Sequence, residues 1–116
     1  MSARYIDRVD AHRIGEERSL AYHRAVAARL ETDESIILRA RAKVVRWLLD
    51  GSVHAEYAQA WSALLDGPLD EVVREMTSTS ERARALRQST PFAGALAPKE
   101  RWKIWRDVYA MYRGAP

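Results

Sequence analysis

The sequence predicts an all-α protein, a compact bundle of five or six short helices, and two observations support that class. Only five of the 116 residues are Gly and four are Pro, while 47% are hydrophobic and 30% are charged. This composition is typical of helices. Apolar residues also recur every three or four positions over most of the chain, which is the period of an amphipathic helix. The length fits one domain with one core.

The chain divides into a short N-terminal part and one helical domain. Residues 1–15 are predicted to form a mobile arm or a short helix that ends at Gly15. Residues 16–116 are predicted to form a single helical domain. The predicted helices of this domain cover residues 16–31, 34–49, 52–65, 68–76, 79–88 and 98–113.

The predicted helix ends rest on residues with known positional preferences. Asp33 is a predicted N-cap of the second helix, and Ser78 with Glu81 matches a capping box before the fifth. Gly51 suits the left-handed conformation that ends a helix, and Pro68 suits the first position of the fourth. The turns between these helices are therefore predicted to be short.

The second predicted helix carries an unusually broad apolar surface. Its apolar residues fall in two adjacent rows, one of Ile37, Ala40, Val44 and Leu48 and the other of Leu38, Val45 and Leu49. A helix that is apolar over so much of its circumference is usually buried. We therefore expect this helix to lie at the centre of the core.

The charge is unevenly distributed, although the net charge is only +3. Residues 51–77 hold five acidic residues against Arg74, a balance of −4, and residues 78–116 hold eight basic residues against three acidic ones, a balance of +5. Arg makes bidentate contacts with carboxylate or phosphate better than Lys does. The basic end is either an ordinary solvated surface or one that meets an acidic partner or nucleic acid.

Residues that usually carry catalysis are sparse. The chain has no Cys, which excludes disulfides, zinc–thiolate sites and thiol nucleophiles. None of its three histidines, His12, His23 and His54, has a second His at metal-binding spacing, and we interpret His23 as a core or rim residue. No phosphate loop or nucleophile elbow is present. We therefore expect no enzyme activity, no metal and no cofactor.

One acidic cluster is the remaining candidate for a metal site. It consists of Asp66, Asp70, Glu71 and Glu75. We interpret it as an ordinary solvated face on which Asp70 pairs with Arg74 one turn later, and a divalent-metal site is the alternative.

The fifth predicted helix is too polar to bury much surface, so it is a candidate for an exposed, partner-facing element. It offers Arg82, Arg84 and Arg87. Within residues 69–89, the two predicted helices and the turn between them have lengths like those of a helix-turn-helix. The second helix of such a motif would present these arginines to a DNA major groove. The acidic face that precedes it would repel phosphate, which counts against DNA.

Phe92 admits two interpretations. On a Pro-Phe-Ala-Gly turn flanked by Arg87 and Arg101, it has the make-up of an interface anchor, an apolar knob ringed by charged donors. It can equally plug one end of the bundle. The aromatic stripe of the last helix, Trp102, Trp105 and Tyr109, is interpreted as mainly core.

The run from Arg84 to Leu96, RALRQSTPFAGAL, followed by Pro98-Lys99-Glu100-Arg101-Trp102, resembles the signature LRQS(S/T)PFAGxL(S/T)PxERW of a family of small helical bacterial proteins. Weaker matches lie upstream, so that the resemblance covers about residues 20–108. Ala97 stands where that pattern has Ser or Thr, so the last helix lacks a side-chain N-cap, which typically costs ~1 kcal/mol.

The resemblance implies an antitoxin-like protein that is encoded beside its toxin in a toxin–antitoxin-like gene pair. Such a protein binds and neutralises the cognate toxin, an enzyme similar to nucleotidyltransferases. We define the predicted docking surface as Arg84, Arg87, Gln88, Ser89, Pro91, Phe92 and Arg101. DNA binding by Arg82, Arg84 and Arg87 is the alternative, and a homodimer is compatible with either. Without an apolar run typical of a signal peptide or a membrane span, the chain is predicted to be cytoplasmic.

Overall fold

The computed structural model of the protein describes the backbone of residues 3–113 and the side chains of residues 11–112. It confirms the all-α prediction, because this part of the chain forms six helices and no strand. The helices are α1 (Ala3–Ala27), α2 (Glu34–Asp50), α3 (Ala55–Asp66), α4 (Leu69–Met76), α5 (Glu81–Gln88) and α6 (Pro98–Arg113).

The first helix is longer than expected, because α1 runs through Gly15 without a break. One Gly inside a helix costs only about 1 kcal/mol relative to Ala, and the helix-favouring residues on both sides outweigh that cost. Residue 15 therefore marks no change of secondary structure. Residues 1 and 2 of the predicted arm lie outside the described residues.

Two predicted helix ends are confirmed. Asp33 caps α2 by accepting a hydrogen bond of 3.1 Å from the amide of Ser35. The Ser35 hydroxyl also donates to this carboxylate and lowers its pKa. Gly51 ends α2 with a φ of 68°, the left-handed conformation that Gly adopts at little cost.

Two other helices begin later than expected. In α5 the N-cap is Ser80, whose hydroxyl accepts from the amide of Ala83 at 3.1 Å, while Ser78 accepts from the amide of Ser80 instead. In α3 the N-cap is His54, whose Nδ1 accepts from the amide of Glu56 at 3.2 Å. In both cases a side chain closer to the helix satisfies an amide of the first turn.

The core is a single cluster that draws on every helix except α6, with partly buried Ile104 of α6 packed against it. Its buried members are Tyr22, Val26, Leu30, Ile36, Ala40, Val44, Trp61, Leu65, Val72, Met76, Leu86, Phe92 and Leu96. Trp61 lies at the centre and donates from Nε1 to the Leu86 carbonyl at 3.1 Å. This bond gives the indole N–H the partner that a buried donor requires.

The aromatic stripe of α6 is not core, contrary to the sequence-based interpretation. Trp102 and Tyr109 are exposed and Trp105 is half-buried. The helix buries Val108 and partly Ile104 instead. The stripe therefore lies to one side of the line along which α6 meets α1.

Candidate functional site

Phe92 is a core residue, so its interpretation as an interface anchor is wrong and the alternative is confirmed. Its side chain is 1% exposed and meets the Trp61 ring edge-on, with centroids 5.7 Å apart. The Phe92 carbonyl accepts from the Tyr22 hydroxyl at 2.6 Å, and that hydroxyl accepts from the amide of Ala95 at 3.2 Å. The preceding Pro91 is buried as well. The α5–α6 loop (residues 89–97) therefore folds onto the core.

Arg87 is also internal, so its assignment to the predicted docking surface is wrong. It is 5% exposed, and its Nη1 donates to the carbonyls of Met76 at 3.3 Å and Ser78 at 2.6 Å. Met76 ends α4, where carbonyls have no partner within the helix. Arg87 satisfies them and ties α4 to α5, and burial lowers the pKa of its guanidinium.

We expect Arg87→Met to lower the free energy of unfolding by about 2 kcal/mol, because it leaves partly buried carbonyls without donors. The matched control is Arg84→Met, one turn earlier in the chain and exposed, which should change stability by less than about 0.5 kcal/mol. Urea unfolding of both variants measures the difference. Equal losses of unfolding free energy in the two variants would show that the internal hydrogen bonds of Arg87 do not stabilise the fold.

The remaining predicted residues are accessible to solvent. Arg82, Arg84 and Gln88 are exposed, and Ser89 and Arg101 are half-buried. Because Arg87 is buried, α5 exposes to solvent only two of the three arginines that the DNA-binding alternative requires. The predicted docking surface is thus divided between residues buried in the core and residues accessible to solvent.

His23 is buried and neutral, as a core histidine should be. Its Nδ1 lies 2.7 Å from the Ser19 carbonyl, which only accepts, so Nδ1 carries the proton. Nε2 therefore accepts from the Thr90 hydroxyl at 2.8 Å, and Thr90 accepts from the amide of Phe92 at 3.1 Å. Burial lowers the pKa of His23 to about 4, against an opposing effect of the Ser19 carbonyl and with a smaller contribution from Arg87.

A cavity of about 340 Å³, which we call the basic groove, opens between α1, the α5–α6 loop and α6. Its lining includes Arg18, Arg101 and Trp105, the edge of Arg87 and the His23 ring. No Asp or Glu is among the described residues that line it. Arg87 and Arg101 belong to the predicted docking surface, whereas Arg18 does not, and Trp105 is not the core residue expected from the sequence.

Two of the arginines that line the basic groove contact the same indole ring. The guanidinium carbons of Arg18 and Arg101 lie 5.0 and 5.7 Å from the Trp105 ring centroid, within the range of a cation–π contact. Within residues 11–112, neither side chain has a hydrogen bond or an ion pair. Their N–H donors are therefore available to a ligand.

A second surface feature is the side of α2 that faces away from the core. Residues 38, 42, 45 and 49 follow helical spacing, and all four are exposed: Leu38 by 58%, Val45 by 55%, Leu49 by 83%, and also Ala42. We call this set the outer stripe of α2.

The expectation that α2 is the central helix is wrong, because only the side with Ile36, Ala40 and Val44 is buried.

The acidic cluster has no metal-binding geometry. Among the described residues, no group of three or more His, Asp or Glu side chains is arranged to hold a metal ion. Asp70 lies 3.7 Å from Arg74 one turn later, and both side chains are exposed. No helix in the described part of the chain is long and apolar enough to cross a membrane.

No protein-family model, curated protein or solved structure matches this chain. Fold and surface therefore define its class: a six-helix all-α domain, over the residues described, with an apolar stripe on one side and a basic groove on another.

Proposed function

We propose that this chain is a protein-binding subunit, an antitoxin-like protein that neutralises a cognate toxin enzyme, and that it binds its partner through the outer stripe of α2. One observation carries the proposal. The helix is apolar on the side that packs on the core and apolar again on the opposite side. Contiguous exposed apolar side chains on a folded domain are typical of a surface that another protein covers, so a partner is expected to cover the outer stripe.

Charge complementarity indicates the chemistry of that partner. Exposed Arg39 and Arg46 flank the outer stripe on one edge, and no acidic residue occurs between Ser35 and Leu49. The partner surface that fits is an amphipathic helix with an apolar stripe and acidic residues along one edge.

A second copy of this chain fits the outer stripe less well. In a two-fold symmetric dimer the same patch of both subunits meets. For antiparallel helices, this arrangement places the edge with Arg39 and Arg46 against the same edge of the copy. The repulsion between these arginines favours a different, acidic protein, and we expect the isolated chain to be a monomer.

The resemblance to antitoxin-like proteins supports a toxin enzyme as the partner. The matched run contains the buried α5–α6 loop, so its role in this proposal is to build the domain and not to contact the toxin. The DNA-binding alternative is not favoured, because the guanidinium of Arg87 is used inside the molecule.

Replacing Val45 and Leu49 together by Glu is the test of this surface. We expect the double variant to bind the product of the neighbouring gene at least 30-fold more weakly, because central apolar residues of an interface contribute about 2 kcal/mol or more. The affinity is measured by calorimetry on the purified proteins.

The matched control introduces the same two negative charges on α3, as Gln59→Glu with Ala63→Glu, two exposed positions one turn apart. This control should bind like the natural chain. Undiminished affinity of the α2 variant, or failure of the natural chain to form any complex with that gene product, would contradict the proposal.

A further inference from the structure

We propose that the basic groove is a binding site for the phosphate group of a small molecule, held between the guanidinium groups of Arg18 and Arg101. This site is separate from the outer stripe of α2 and does not depend on the proposed partner. Its volume of about 340 Å³ lies at the lower end of the range for small-molecule sites. It therefore suits a phosphate that carries a compact group.

The positive charge of the groove is not neutralised by nearby carboxylates. Glu100 precedes Arg101 in sequence but forms its ion pair with Arg29. Glu16 directly follows Gly15 of the groove lining, but its carboxylate lies in the adjoining cavity, 3.1 Å from His12 and 3.9 Å from Arg84. Both acids are thus engaged elsewhere, and an anion from solution is the counter-charge that the groove lacks.

The two guanidinium groups favour phosphate over a carboxylate. Each guanidinium presents a planar fork of N–H donors that one carboxylate already satisfies in a bidentate pair. A phosphate group has three terminal oxygens and a charge near −2, so it can accept from two forks at once. Trp105 holds both guanidinium groups beside the cavity, which reduces the entropy lost when a ligand orders them.

The groove is equipped to hold a phosphate and not to transfer it. Among the described residues that line it, His23 is the only candidate general base. Both ring nitrogens of His23 are engaged, one with Ser19 and the other with Thr90. The hydroxyl of Thr90 donates to His23, so its proton is used as well. We therefore expect binding without hydrolysis of a phosphate ester.

Titration of the full chain with pyrophosphate tests the site, followed by calorimetry and by the NMR signal of the Trp105 indole N–H. Saturable binding is expected, with a shift of that signal. Arg18→Gln and Arg101→Gln should each weaken binding at least tenfold. Arg106→Gln removes the same charge from an exposed position of α6 and should leave the affinity unchanged.

A steric variant separates loss of the site from loss of the fold. A Cβ placed on Gly15 meets no atom within 4 Å, and Gly15 lines the basic groove. Gly15→Leu should therefore fill the groove and abolish pyrophosphate binding. It should also raise the melting temperature, because Leu favours a helix more than Gly does.

Three results would overturn the proposal: equal loss of affinity in Arg106→Gln, binding of acetate or citrate as tight as that of pyrophosphate, and binding of a DNA oligonucleotide with none of pyrophosphate. The last result would assign the groove to nucleic acid instead.

Discussion

Phe92→Ala is expected to lower the free energy of unfolding by about 4 kcal/mol, because truncating a fully buried Phe removes its burial and leaves a cavity. The side chain packs between Trp61 and His23, whose ring centroids lie 5.7 and 6.3 Å from its own. Its loss also loosens the loop that Tyr22 and Lys43 hold by hydrogen bonds to the carbonyls of Phe92 and Ala93. Urea unfolding with circular dichroism measures the change.

Trp102→Ala is the matched control, because it truncates a larger aromatic residue that is exposed on α6. It should cost less than about 1 kcal/mol, as surface substitutions generally do. If Phe92→Ala destabilised the protein as little as Trp102→Ala, the α5–α6 loop would not belong to the core. The interpretation of Phe92 as an anchor for a partner would then return.

The stability of the protein should fall when the pH drops from about 6.5 towards 4. Burial lowers the pKa of His23 in the folded protein to about 4 from the ordinary 6.5, so the unfolded chain binds more protons between these values. The contribution of His23 to the free energy of unfolding is therefore fully present above pH 6.5. It decreases through this window by up to about 3 kcal/mol, which is the value of a shift of this size.

His23→Gln isolates this effect, because Gln offers a donor and an acceptor but does not titrate. The slope of unfolding free energy against pH should become shallower in this variant, even if its stability at pH 7 is lower. A His23→Gln variant with the natural slope would show that His23 is not the group that titrates.

The local features of the fold could be predicted from sequence because neighbouring residues determine them. Asp33 and Gly51 specify the two ends of α2 through their own side chain and backbone conformation. Gly15 misled the prediction, since one unfavourable residue does not end a helix whose other residues favour it. The start of α5 was misplaced by two residues because Ser78 and Ser80 compete for the same role.

The burial of the α5–α6 loop could not be predicted, because it depends on contacts between residues that are distant in sequence. Pro91 and Gly94 correctly indicate a turn, and turns are usually on the surface. The partners that bury Phe92 lie elsewhere: Tyr22 on α1 and Trp61 on α3. Arg87 likewise finds its acceptors only once α4 and α5 are arranged in space.

The two candidate surfaces could not be predicted from the sequence, for two different reasons. The basic groove was missed because it combines α1 with α6, which no local pattern connects. The residues of the outer stripe of α2 were visible in the sequence, but their broad apolar surface was interpreted as evidence of complete burial. Apolar residues at helical spacing indicate which sides of a helix are covered, and they do not tell whether its own chain or another provides the cover.

Methyl NMR of the labelled chain, titrated with the unlabelled product of the neighbouring gene, tests the central claim that the outer stripe of α2 binds a partner protein. The methyl signals of Leu38, Val45 and Leu49 should shift or broaden at a one-to-one ratio, while those of buried Leu86 and Leu96 should stay in place. Perturbation confined to α5 and the basic groove, with the three α2 signals unchanged, would contradict the claim.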